Sequence, residues 1–227
     1  MNRSFSLPFL IMGVVFCVCL ICSNLLEVKM ISLGGITAPA GLIVFPISYI
    51  INDCIAEVWG YRKARLIIWL GFLMNLMAII FIQIAIILPS ALFWDGQKSF
   101  ETVFSSTPRI LLASFIAFLV GSFLNAYVMS KMKISSKGKH FSLRAITSTV
   151  VGESADSLLF FPIAFGGVVP VNELLILIVT QACLKTASEL FILPVTIRVV
   201  RFVKKIDGSD VYDQKVSYNI FKIKELQ

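Results

Sequence analysis

Three stretches of this 227-residue chain place acids, amides and a lysine among apolar neighbours, and their spacing sets what they can do together. Glu153 and Asp156 are three residues apart, with Gly152, Ser154 and Ser157 around them. Asp53 and Glu57 are four apart, with Ser48 and Asn52 beside that face. Gln181, Lys185 and Glu189 recur at every fourth position. Residues three or four apart share a helix face, so each stretch presents one polar stripe. Two carboxyl groups one turn apart repel when both are ionised. Glu153 and Asp156 therefore require a proton, a cation or a ligand rich in N–H donors. Lys185 is the one cation expected at depth, against Asp53, Glu153, Asp156 and Glu189. That surplus of carboxylates suits a donor-rich ligand or a proton better than an anion.

Each group also has a plainer role. Glu57 can pair with Arg62, Lys63 or Arg65 at a membrane interface, and Lys185 with Glu189 or Glu153 as a structural ion pair. Asn75, Gln83 and Asn125 can join helices through hydrogen bonds worth about 1 kcal/mol each. Cys17, Cys19, Cys22, Cys54 and Cys183 sit in apolar runs without a supporting ligand set, and are read as reduced packing residues rather than a metal site. The sequence holds no H-E-x-x-H, no G-x-S-x-G and no Walker motif, and its single histidine, His140, lies in a basic segment. No enzyme, no catalytic residue and no cofactor is expected.

The elements that must carry these stripes are membrane spans. Hydrophobic residues make up 58% of the chain and charged ones 15%, where soluble domains carry roughly 25% charge. Mean hydropathy is +0.90. Runs of about 20 apolar residues are long enough to cross a hydrocarbon core of about 30 Å. Six are expected, at about Leu7 to Leu26, Ala40 to Trp59, Leu66 to Leu88, Arg109 to Ser130, Ala145 to Phe165 and Val171 to Val200. The first is read as a span, because its run is too long for a signal peptide. Gly34, Gly35 and Pro39 mark a turn, Pro46 a kink within the second span, and Gly60 to Arg65 a tight basic loop. The fold class is an all-α integral membrane protein: one six-helix domain over residues 1–206 and a short cytoplasmic tail over 207–227.

Charge sets the orientation. The net charge is +7. Basic residues follow spans two, four and six, as in Lys131, Lys133, Lys137, Lys139 and Arg144, and Arg3 precedes span one. Lys and Arg accumulate on the cytoplasmic side, so both termini are expected inside. The same distribution argues for a lipid bilayer, not nucleic acid, as the partner. Stripes on three helices at similar depth are expected to turn inward to one cavity.

These residues also carry a resemblance. The stretch from Phe45-Pro46-Ile47-Ser48-Tyr49 to Asn52-Asp53-Cys54-Ile55-Ala56-Glu57-Val58-Trp59-Gly60, with Arg62 and Arg65 after it, resembles the N-D-x-x-x-E-x-x-G segment of the queuosine precursor transporter family, also called the vitamin uptake transporter family. Arg144 with Gly152-Glu153-Ser154-Ala155-Asp156-Ser157 is similar to its R…GE-x-x-D-S fifth span, and Lys185, Glu189 and Pro194 to its K…E…P sixth. Asn125 falls where the family has a polar fourth-span residue. The resemblance covers about Ser23 to Pro194. It implies import of 7-deazaguanine queuosine precursors (preQ0, preQ1 or queuine) across the bacterial inner membrane. It also implies a fold like the six-helix substrate-binding components of energy-coupling factor transporters. The expected substrate contacts are Glu153, Asp156, Lys185, Glu189, Asn52, Asp53 and Asn125, with Phe160, Phe161, Tyr49 or Trp59 as ring walls. The alternative is a binding component for another vitamin, energised by a separate ATPase. The small-residue docking face for such a partner is sparse on span one, with only Gly13 and Cys17 at the right spacing. Both a homodimer and an ATPase partner are left open.

Overall fold

The computed structural model describes residues 6–26, 28–33, 36–104 and 108–222. Arg3, Gly34 and Gly35 lie outside the described residues. Helix α1 (Leu7–Leu26) takes the expected first span. Strands β1 (Met30–Leu33) and β2 (Ile36–Pro39) then pair antiparallel, Met30 opposite Pro39 and Leu33 opposite Ile36. This hairpin was not expected. A short 3-10 turn (Ala40–Ile43) leads into α2 (Phe45–Ile87). Pro46 therefore stands in the first turn of α2 and does not kink a span. A missing N–H costs nothing there, because first-turn N–H groups have no intrahelical partner.

The basic segment after Gly60 is not a loop. Residues 61–65 are helical, and Tyr61, Ala64 and Arg65 are buried. What interrupts α2 is Gly60 alone, at φ 78° and ψ 179°. Only glycine takes that left-handed conformation without strain. The break frees backbone N–H groups, and Asp213 from the C-terminal segment accepts the Tyr61 N–H at 2.8 Å, as an N-cap carboxylate would. A Cβ on Gly60 would stand 2.6 Å from the Asp213 carboxylate. Gly60→Ala is thus expected to cost at least about 1 kcal/mol from the backbone alone. The thermal midpoint of the detergent-solubilised protein should fall, and adding Asp213→Ala should not restore it. A midpoint equal to wild type would show that the break does not need glycine.

Helix α3 (Gln97–Phe104) is short, and α4 (Pro108–Ser135), α5 (Phe141–Phe165) and α6 (Val171–Asp207) complete the bundle. Among the described residues, four stretches are long and apolar enough to cross a membrane: α1, α2, the stretch that ends with α4 at Ser135, and α6. In α5 the polar groups dilute the apolar run. Large apolar side chains such as Leu10, Phe81 and Phe191 are exposed on the outside of the bundle, where lipid replaces water as their solvent. Inside, Cys54, Ile55, Val58, Ile68, Ala126, Met129 and Ala145 form the core. Helices α4 and α5 approach backbone to backbone: a Cβ on Gly152 would lie 2.9 Å from both the Gly121 carbonyl oxygen and Asn125 Cβ. Small residues permit such close crossings between membrane helices. That contact fixes Glu153 and Asp156 relative to Asn125.

The segment after α6 is no free extension. Gly208 closes the helix, and Val211 N–H bonds the Val58 carbonyl at 3.0 Å. Arg65 donates to the Ser217 and Asn219 carbonyls at 3.2 and 2.5 Å, and Trp69 Nε1 to that of Ile220 at 3.0 Å. Residues 209–222 thus strap the α2 break, a contact between positions about 150 apart in sequence.

Candidate functional site

A cavity of about 480 Å³ opens between α1, α2, α4, α5 and α6. Its charged floor is a triad. Lys185 donates to Asp156 Oδ2 at 2.6 Å, and its Nζ stands 2.8 Å from Glu153 Oε2. The second contact is an ion pair less well aligned as a hydrogen bond, so Glu153 keeps acceptor capacity facing the cavity. One lysine neutralises one of the two acids, which leaves the site a net negative charge. Ser157 adds a buried hydroxyl without a partner among the described residues, and the Ser48 and Tyr49 hydroxyls, beside Cys19 and Glu153, line the same cavity. An unsatisfied buried polar group costs about 1–3 kcal/mol, so this wall is built to receive polar groups.

Amides and rings make up the lining beside the triad. Asn52 Nδ2 donates to Asn125 Oδ1 at 3.2 Å, and Asn125 Nδ2 to Thr149 Oγ1 at 3.4 Å. The Phe45 and Tyr49 rings stack at 6.1 Å with an interplanar angle of 15°. Lys185 Nζ lies 5.7 Å over the Phe45 ring. Phe160 and Phe161 close the far side edge to face at 5.2 Å. The arrangement offers a flat apolar slot with acceptors at one rim.

Residues 39–199 match the family model described as "Putative vitamin uptake transporter". The chain belongs to the vitamin uptake transporter family. It is 31% identical over 176 residues to the "Probable queuosine precursor transporter" of Bacillus subtilis (strain 168), covering 77% of this chain and 76% of that protein. It is 28% identical over 143 residues to the "Queuosine precursor transporter" of Escherichia coli (strain K12), covering 63% and 62%. No solved structure matches the chain. The vitamin uptake transporter family consists of transporters, not enzymes, and this member is a multi-pass protein of the inner membrane.

In this vitamin uptake transporter Glu153, Asp156, Lys185, Asn52 and Asn125 meet at one cavity, and Asn75, Gln83 and Gln181 join them on its wall. Asp53 and Glu189 do not. Both are 2% exposed and absent from the cavity wall; their carboxyl groups face each other behind it. The helix turn that puts Asn52 toward the cavity turns Asp53 away from it. Trp59 is also elsewhere: it donates to Asp207 Oδ2 at 2.8 Å and packs on Phe9. Glu57 pairs not with Arg62, Lys63 or Arg65 but with Arg144, through both guanidinium nitrogens, and with Lys204 at 2.8 Å. Phe45 stands at the start of the stretch that resembles the family segment but is not among the expected ring walls, and Thr149 carries no sequence signal that separates it from ordinary core. Thr149 precedes Glu153 by one turn on the same face, and that spacing was the only available cue.

Proposed function

We propose that the protein imports 7-deazaguanine queuosine precursors (preQ0, preQ1 or queuine), bound between the Phe45–Tyr49 slot and the Glu153–Asp156–Lys185 triad. The observation that carries this reading is that two carboxylates on the cavity wall, Glu153 and Asp156, share the single ammonium of Lys185. A guanine-like edge presents N1–H and an exocyclic amine side by side, and a carboxylate accepts both. Lys185 can donate to the O6 carbonyl, and Asn52 and Asn125 complete the rim. The cavity volume lies within the roughly 300–1,000 Å³ usual for small-molecule sites. The names of the relatives point to the same substrate class.

The break at Gly60 supports counting α2 as two spans, which with α1, α4, α5 and α6 makes six. The basic segments then fall inside with both termini, in the arrangement of energy-coupling factor substrate-binding components. Gly13, half of the sparse docking face on α1, is already packed against Ile67 of α2, where a Cβ would stand 2.7 Å away. This favours a transporter working alone over a component docked to an ATPase through that face.

The test is uptake. Cells that neither make nor import precursors receive preQ0, preQ1 or queuine, and queuosine in their tRNA is assayed. Wild type restores it and Glu153→Gln, at equal membrane levels, does not. No restoration by any precursor, with the protein shown in the membrane, would overturn the assignment.

A further inference from the structure

Behind the cavity wall, the Asp53 and Glu189 carboxyl groups lie within hydrogen-bonding reach of each other. Asp53 Oδ2 and Glu189 Oε1 are both buried, and neither receives a donor among the described residues. The other Glu189 oxygen accepts from Thr149.

Nearby cations are engaged elsewhere. Arg144 on α5 serves Glu57 and the carbonyls of Gly138 and Lys139. Lys204 on α6 and Lys133 on α4 serve Glu57 and Asp210. Lys185 on α6 serves Glu153 and Asp156. The other titratable groups facing the pair are Tyr49, Cys54 and Glu57 on α2 and Glu153 on α5. None of these supplies a positive charge. The Arg144 charge acts on Asp53 from beyond Glu57 but donates no hydrogen bond to either carboxyl group. Two buried carboxyl groups within reach of each other, with no cation among the described residues bonded to either, repel unless a proton lies between them.

The pair is also wired to the substrate cavity. Glu189 takes the Thr149 hydroxyl, Thr149 takes the Asn125 amide, and Asn125 takes the Asn52 amide on the cavity wall. Asp53 is the next residue in the chain after Asn52. A change of charge at the pair therefore acts on the wall that meets the substrate, through contacts of one hydrogen bond each. On the other side, Glu57 lies one turn from Asp53 and leads to the Lys204 and Asp210 cluster near the end of α6.

We propose that the Asp53–Glu189 carboxyl pair binds the proton whose inward movement drives substrate accumulation, an inference that rests on the transport reading above. The proton binds between the two oxygens from the cavity side and leaves to the cytoplasmic side unchanged, so no bond in the substrate is made or broken. Because the pair does not line the cavity, its loss separates two activities. Exchange of substrate across the membrane needs the cavity alone, whereas accumulation against a gradient needs the proton site.

The experiment uses the full chain in liposomes with labelled preQ1, an imposed pH gradient, and an infrared spectrum of the same preparation. For one proton per substrate, an inside-alkaline gradient of one pH unit gives about tenfold accumulation, since each pH unit is a tenfold proton ratio. A protonophore should abolish it. Asp53→Asn and Glu189→Gln should keep exchange of labelled for unlabelled substrate and lose the accumulation. The carbonyl band of a protonated carboxylic acid, seen in wild type without any substrate, should disappear in the double variant. Accumulation indifferent to the gradient, or an infrared band that survives in the double variant, would overturn the proton site while leaving the transporter in place. Failure of preQ1, preQ0 and queuine alike to exchange, with the band present and lost on substitution, would retain the proton site and discard the substrate assignment.

Discussion

Glu57→Gln is expected to destabilise the folded protein by about 3–5 kcal/mol, the usual cost of removing one partner from a buried charge pair. Glu57 is 1% exposed and holds Arg144 with both oxygens. Lys204 reaches the same carboxylate at 2.8 Å and Lys133 stands 3.8 Å away. Without the charge, Lys133 and Lys204 share Asp210, itself 45% exposed, and Arg144 is left buried with only backbone carbonyls as oxygen acceptors. Asp210 lies beyond the helices. Burial alone would push its carboxyl up, and the hydrogen bonds from Lys133 and Lys204 more than offset this and hold it below the ordinary carboxylate range. Its contribution is therefore present at neutral pH and lost as pH falls through its lowered folded value. It cannot replace Glu57, because water screens its exposed side. The expected readout is a large fall in thermal midpoint and in the monodisperse fraction in detergent. Replacing Glu57 and Arg144 together by methionine should recover part of the loss, since no charge is then left buried alone. A single variant as stable as wild type would mean that Glu57 is not the anchor of this cluster.

Lys185→Met is expected to weaken substrate binding by about 10- to 100-fold, equivalent to one or two charge-assisted hydrogen bonds. The lysine does two things in the cavity. It donates to Asp156, and it holds Glu153 Oε2 in place at 2.8 Å. Removing it costs the substrate a donor and leaves two acids facing each other one turn apart. The variant should still fold, because the three side chains are 17–22% exposed to the cavity and water can reach them. Titration of purified protein with precursor separates the roles. Adding Glu153→Gln to Lys185→Met should relieve the repulsion and leave binding weak. Wild-type affinity in Lys185→Met would remove the lysine from the site.

How much of this was legible can be argued residue by residue. Glu153 and Asp156 were readable as a site because two acids one turn apart in an apolar run have no bland explanation. Lys185 was readable as their neighbour in charge but not in space. Asp53 and Asn52 are adjacent in sequence and equally polar, and one faces the cavity while the other faces Glu189. Helical periodicity assigns them different faces without saying which face meets which helix. Glu57 shows the same limit: its sequence neighbours Arg62, Lys63 and Arg65 were the obvious partners, and its real one, Arg144, is 87 residues away. The tail has no long apolar run to mark it as packed: its hold is through backbone carbonyls, Asp213 and a short alternation of Val216, Tyr218 and Ile220 packed on the core, too brief to stand out among polar neighbours.

The sequence by itself therefore determined that this is a membrane protein, which residues are too polar to face lipid, and which of them share a helix face. Those follow from the length of apolar runs and the 3.6-residue turn, both local properties. Only the tertiary structure decided that Lys185 closes the Glu153–Asp156 pair, that Asp53 and Glu189 meet behind the cavity, and that the chain end caps the break at Gly60. Each of these is a contact between helices, set by close crossings such as Gly121 on Gly152, and no local pattern encodes which faces come together.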